Sequence, residues 1–209
     1  MWMVLLLVGN VSTLKLVLTN LFNFFKKNIM KNIFLTTFIL FSACFSAQVA
    51  IGKASVSSTA VSLEFGNENR GIILPWVDST GGVTGAVNGT IVYDTSDKKV
   101  KVKYASGWKD LSVDTTGTTV DPLTSVDGLT LQNSITDLDN AKVQIGGDPA
   151  TDTTPGILVL ADTNKAMVLP KVASPHLNIV NPSPGMMVYD TTKKQLAVFN
   201  GTVWSFWKP

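Results

Sequence analysis

After residue 47 the chain alternates apolar and polar positions with a period of two, the signature of strands with one buried and one wetted face. In "IVYDTSDKKVKVKYASGW" (residues 91–108), Ile91 and Tyr93 fall on one side and Val92 and Asp94 on the other. After an "SDKK" turn, Val100, Val102 and Tyr104 share one face and Lys99, Lys101 and Lys103 the opposite one, and "ASG" turns again into Trp108. The pattern predicts a three-stranded meander with an apolar face and a lysine face. "MVYDTTKKQLAVFNGTVW" (residues 187–204) predicts the same meander again, with Met187 and Tyr189, then Leu196 and Val198, then Trp204. Asn200 and Gly201 mark its last hairpin, because both residue types tolerate the positive φ of a tight turn.

The repetition extends beyond the meander. Each copy opens on V-x-I-G, at Val49 and Val143. An apolar strand follows ("VSLEF" or "ILVLA"), then "NRGIILPWV" from Asn69 or "NKAMVLPKV" from Asn164. Val49 and Val143, Asn69 and Asn164, and Tyr93 and Tyr189 are 94, 95 and 96 residues apart. So slow a drift means single-residue insertions in loops between duplicated β units. The reading is all-β: two β-meander modules, 48–112 and 142–209, joined by 113–141. This connector holds five aspartates, no lysine or arginine and many threonines. It reads as a flexible acidic linker, or as a short strand over "DGLTLQN" after an Asp-Gly turn. The one helical signal in the repeats is "SPHLNIV", with Ser174 as N-cap and Pro175 in the first helical position, stopped by "NPSPG". A lone meander has too little core to stand alone. The modules must associate with each other or with other chains, and an elongated assembly of several chains is the favoured form.

The remaining apolar weight is N-terminal. "MKNIFLTTFILFSACFSAQ" from Met30 has a lysine, a short apolar stretch and a small residue, Ala47, before Gln48, the layout of an export signal over residues 30–47. Residues 1–29 read as an upstream extension ahead of a true start at Met30; the alternative is a membrane anchor over 2–25. At the N-terminus, helix is expected only in the signal segment. The expected location is outside the cell or on its outer surface. Residues 1–47 hold four of the 17 basic residues and no acid, which leaves 13 bases against 15 acids in the exported part. That balance gives no basic excess for nucleic acid. Membrane contact is expected only through the signal segment or through a lipid on Cys44, the single cysteine, which sits in a loose lipobox, "FSAC". Cleavage after Ala47 leaves no thiol and hence no disulfide.

Catalytic chemistry finds little support. His176 is the only histidine, and no second histidine or cysteine can join it as base or metal ligand. Asp94 and Asp190 recur at equivalent turns, which fits turn formation better than a glycosidase pair. The aspartates of the connector do not match a calcium loop, and phosphate loops, zinc motifs and nucleophile elbows are missing. No cofactor or metal is expected. Trp108 and Trp204 occupy equivalent positions and read as core anchors, and Trp207, opposite Leu111, as apolar packing. Trp76 stands where the second copy has Lys171, so it is expected to reach solvent and is the candidate ligand contact, for a sugar ring or a protein surface; the other reading is local packing under the "GGVTGAV" loop.

"AQVAIG" after the signal, "GIILPWV…GTIVYDT" and "IVNPSPGMMVYDTTKK…FNGTVW" resemble secreted repeat proteins of Bacteroidetes-type bacteria and are similar to modules of phage tail fibres. "DGLTLQN…AKVQIGG" resembles the short β-repeats of fibre shafts. The resemblance covers nearly all of 48–209. It implies an extracellular β-rich fibre or surface protein that self-associates, with a trimer as the expected form. The first module departs from the pattern at Trp76 and in having "DSTGGVTGAVNGT" where the second has its helical stretch. The recurring Asp-Ser/Thr-Thr tripeptide resembles an O-glycosylation signal of such exported proteins, with Ser79, Thr115, Thr153 and Thr191 as the candidate acceptors. The function expected is that of a non-enzymatic structural or adhesin-like component. A glycan- or protein-binding module using Trp76 is the alternative, and a hydrolase the remote one.

Overall fold

The computed structural model describes residues 2–42, 48–113, 115–136, 138 and 141–208. It divides into two compact units, Met1–Ser46 and Ala47–Pro209. The first is a single helix, α1 (Trp2–Ser42), which starts ahead of the expected signal segment and runs unbroken through Met30. Among the described residues, no helix is long and apolar enough to cross a membrane. Cys44 and Ala47 lie outside the described residues.

The second unit is almost entirely β and writes the same seven strands twice. The first module supplies β1 (Val49–Ile51), β2 (Val61–Phe65), β3 (Ile72–Ile73), β4 (Trp76–Val77), β5 (Ile91–Asp94), β6 (Lys99–Tyr104) and β7 (Gly107–Asp110). The second supplies β8 (Val143–Ile145), β9 (Leu158–Leu160), β10 (Ala166–Val168), β11 (Lys171–Val172), β12 (Met186–Asp190), β13 (Gln195–Phe199) and β14 (Trp204–Trp207). Both meanders form with the predicted strand order, β5, β6 and β7 pairing antiparallel in sequence, as do β12, β13 and β14. But β5 and β12 are buried on both faces and Tyr104 of the expected apolar face is exposed, because a core packs on each side of the sheet. In each, the strand before the meander adds in parallel at the same register, Trp76 opposite Tyr93 and Lys171 opposite Tyr189. The V-x-I-G strands also pair in parallel with the strands that follow them, β1 with β2 and β8 with β9.

The modules are not beads on a linker. Strand β3 leaves its own module and pairs antiparallel with β12, Ile73 opposite Met186 and Ile72 opposite Met187. Strand β10 leaves the second module and pairs in parallel with β2, so β2 lies between β1 and β10. One apolar core is common to both modules: Leu74, Tyr93, Val100 and Leu111 from the first pack with Met187 and Val198 from the second. A second core, Val172, Ile179, Met186, Val188, Ala197 and Phe199 with Trp204 against it, belongs to the second module. Of the two ways for small meanders to complete a core, the modules associate within one chain. Each fully buried Val, Leu or Met in these clusters contributes on the order of 1.5–3 kcal/mol.

Two local expectations change. "DGLTLQN" is not a strand. Residues Gly128–Asn133 form α2, because the Asp127 carboxylate accepts the Leu129 N–H at 3.0 Å and caps a helix instead of shaping a hairpin turn. The predicted helix at "SPHLNIV" is present as α3 (Pro175–Asn178) with Pro175 in its first turn, but Ser174 does not cap it. Ser174 sits in the left-handed region at φ 46°, donates its N–H to Asp190 at 3.1 Å and its hydroxyl to Thr192 at 3.1 Å. In the first module a one-turn 3-10 helix, Thr80–Gly82, takes the place of α3.

Candidate functional site

The features that single out a place in the molecule meet at the seam between the modules. Trp76, on β4, is half-buried there. Its indole Nε1–H donates to the Pro184 carbonyl at 3.0 Å, across the seam, and its ring lies tilted on Tyr93 with centroids 5.4 Å apart. Gln132 of α2 donates to the Trp76 carbonyl at 3.2 Å. The side chain expected to reach solvent does so only at its rim, and it ties the first module, the connector and the "NPSPG" loop together. Its exposed rim borders a cavity of about 300 Å³ shared with Asp121, Asn181, Pro184 and Phe199. Asp121 accepts the N–H groups of Leu123 and Thr124, which hold its carboxyl below the usual range, and Asn181 reaches it at 3.4 Å.

Beside Trp76, Tyr93 is completely buried. Its phenol donates to the Asn200 carbonyl at 2.9 Å, again across the seam. Burial, with the Asp97 charge adding to it, pushes the phenol well above its ordinary pKa, so it is a fixed donor and not an acid–base group. Asn200 is itself buried: its Oδ1 accepts Thr202 and Val203 N–H, and its Nδ2 donates to Thr115 at 2.8 Å. Asn200 and Gly201 thus open a four-residue hairpin connection that also grips the start of the connector. A Cβ on Gly201 would stand 1.9 Å from the Thr118 carbonyl, at φ +98°. Only glycine allows that approach.

The repeated aspartates shape turns. Burial opposes the Asp94 charge, but hydrogen bonds from Ser96, Lys101 and Thr80 outweigh it and hold the carboxyl at about 2. Lys101 bridges Asp94 at 3.0 Å and Asp97, so the lysine face of β6 is half-buried and ion-paired where it was expected to be wet. Among the described residues Asp190 has no lysine side chain as partner. Burial opposes its charge too, yet N–H groups of Ser174, Thr192 and Lys193 and the amide of Gln195 keep its pKa low. Asp94 and Asp190 each serve their own turn and do not form one carboxylate pair with an open substrate position. Among the described residues no three His, Cys, Asp or Glu side chains converge as metal ligands.

The other singled-out residues scatter. Thr115, Thr153 and Thr191 are exposed and Ser79 is half-buried. Asp152 and Asp190 make the same turn, each accepting the N–H two residues on, whereas Asp114 lies outside the described residues. Trp204 packs on Phe199 with centroids 5.2 Å apart. Trp207 is more than packing: it donates to the Leu111 carbonyl at 2.6 Å across the seam, with Lys109 5.2 Å above its ring. His176 stands edge-on to Phe206, centroids 5.6 Å apart. The sequence reading missed the seam itself, including Asn200, Pro184 and Gly185. The available signal was that Met187 and Val198 copy the apolar face of the first module, so that two half-cores were on offer.

Residues 148–208, from the turn before β9 to the end of β14, match the family model described as "Phage tail like trimerisation region". No curated protein and no solved structure matches the chain. The match falls on the second module and its share of the seam. It supports a tail-fibre-like module that self-associates.

Proposed function

We propose that this protein is an exported, non-enzymatic structural component of a fibre or cell-surface appendage, adhesin-like, that works as a trimer. The observation that carries the reading is the match of residues 148–208 to a phage tail like trimerisation region, in a molecule whose polar side chains at the seam are committed to backbone groups. Tyr93, Trp76, Asn200 and Asp190 all spend their hydrogen bonds on holding strands and turns together, which is what a load-carrying β element requires. The cavity beside Trp76 favours a second reading, recognition of a glycan or surface protein. It ranks second because the indole N–H is already satisfied by Pro184. Light scattering coupled to size exclusion tests the first reading. The expected result is a mass of three chains with the scattering profile of an elongated particle; a compact monomer at all concentrations would overturn it.

A further inference from the structure

The part of the seam that β3 and β4 build on the second module runs in one direction. Strand β3 and Leu74 of the first cover the 185–187 edge of the second, with the Leu74 N–H donating to the Gly185 carbonyl at 3.0 Å. Trp76 donates to Pro184, and Tyr93 to Asn200. Nothing returns the contact by the homologous elements. Residues 89–91 of the first module correspond to 185–187, and the local geometry is the same: Gly89 N–H donates to Lys103 as Gly185 N–H does to Phe199. Both glycines have positive φ, +90° and +77°. Yet a Cβ on Gly185 would meet Tyr93 at 2.9 Å, whereas one on Gly89 would meet nothing within 4 Å. Among the described residues no strand pairs with the outer edge at 89–91, since β4 covers only Tyr93 and Asp94.

The complementary backbone edge is unpaired as well, with the Met167 and Leu169 side chains packed on the common core. Residues 167–169 correspond to 72–74; β10 pairs with β2 on one side, and among the described residues no strand takes its other side. Strand β9 corresponds to β2, but β2 is flanked on both sides and β9 only by β8. An interface whose two halves differ, with one half free at each end, is heterologous and joins copy to copy. Unpaired edges of this kind otherwise invite indiscriminate strand pairing.

We infer that the free edge at residues 89–91 receives residues 167–169 of a second copy of this chain, in the antiparallel register that β3 uses on β12. Val168 of one copy then faces Thr90 of the next, as Ile73 faces Met186 within the chain. The Leu169 N–H reaches the Gly89 carbonyl as Leu74 reaches Gly185. This rests on the proposed self-association and names the surface that performs it. The test uses the full chain with Cys44→Ser as background. Thr90→Cys and Val168→Cys are made separately and mixed under mild oxidation. The Ile73 and Met186 positions lie between hydrogen-bonding pairs, where Cα atoms sit about 4.5 Å apart and a disulfide closes without backbone movement. The chain carrying both Ile73→Cys and Met186→Cys therefore serves as the internal reference and closes within one chain. The expected result is a covalent dimer from the mixture and none from either variant alone. Amide exchange on the unmodified chain gives a reading free of substitution: association is expected to slow Ile91 and Leu169 at least tenfold. Dimers from one variant alone overturn the assignment, as does cross-linking of Thr90→Cys to Ile73→Cys of another chain. Self-association with neither cross-link nor protection overturns the edge assignment and leaves the fibre reading standing. A monomer without either signal removes both.

Discussion

The two modules place the same residues in unlike surroundings. Tyr93 is sealed in the common core with its phenol on Asn200, while Tyr189, at the same position of the second meander, is half-exposed. Leu63 at the centre of β2 is fully buried between two neighbours, while Leu158 on β9 is 46% exposed. The strands are equivalent; what differs is whether another module stands in front of them. Burial in this fold is thus a property of the seam more than of the module. A repeat of this kind is half of an interface before it is a domain.

The largest expected effect tests that directly. Tyr93→Ala removes a wholly buried aromatic side chain and its cross-seam hydrogen bond, and should cost about 4 kcal/mol in urea unfolding. Tyr189→Ala, made at the half-exposed counterpart, should cost about 1–2 kcal/mol under the same conditions. Equal losses at the two tyrosines would mean that the modules are stabilised independently and that the seam contributes little.

The meanders, their turns and the duplication were legible because period-two alternation reports which residues share a face, and face is a local property. Helix α3 was legible for the same kind of reason, since Pro175 is preset for a first turn. What was not legible is long-range. Nothing in "GIILP" states that Ile72 and Ile73 pair more than a hundred residues downstream, and nothing in "AMV" sends β10 to β2. Solvent access for Trp76, read from its lysine counterpart, holds only for the rim of the indole. The comparison assumed that equivalent positions have equivalent neighbours, and they do not: the second module's loop stands before Trp76 and no described module stands before Lys171. The connector was misread at Asp127 because Asp-Gly serves both as a hairpin turn and as a helix cap with its first residue.

A middle-sized effect separates the two aspartates by pH. Asp94 titrates at about 2 in the fold, against about 3.9 for an unfolded aspartate. The unfolded chain therefore binds the proton first. The stabilisation from this carboxylate is complete above about pH 4 and is lost as pH falls towards about 2. Asp94→Asn should lower stability by about 2 kcal/mol at pH 7, since charge-assisted bonds from Lys101 and Ser96 are weakened. The difference between the variant and the parent should shrink to about a third as urea midpoints are taken down to pH 2.5, because the carboxylate is lost only as pH passes its folded pKa of about 2. Asp190 also has a depressed pKa, with amide and backbone partners in place of a lysine. Raising salt should therefore weaken the Asp94 contribution more than the Asp190 one.

The smallest effect concerns a position where the modules differ in residue type, Trp76 against Lys171. Trp76→Phe keeps an aromatic ring against Tyr93 and deletes the Nε1–H bond to Pro184. It should cost about 1 kcal/mol, the ordinary net worth of a single hydrogen bond plus a small loss of packing. Lys171→Ala, at the exposed equivalent, should change stability by less than about 0.5 kcal/mol. The pair of values also says where the connector is held. Gln132 of α2 reaches the Trp76 carbonyl, and a Cβ on Gly128 would stand 2.9 Å from its ring. Loosening the indole should thus speed amide exchange in Gly128–Asn133 while leaving β12 and β13 protected. Faster exchange in the meander instead would move the anchoring role from Trp76 to the strands, and the difference between Trp76 and Lys171 would then have no structural consequence.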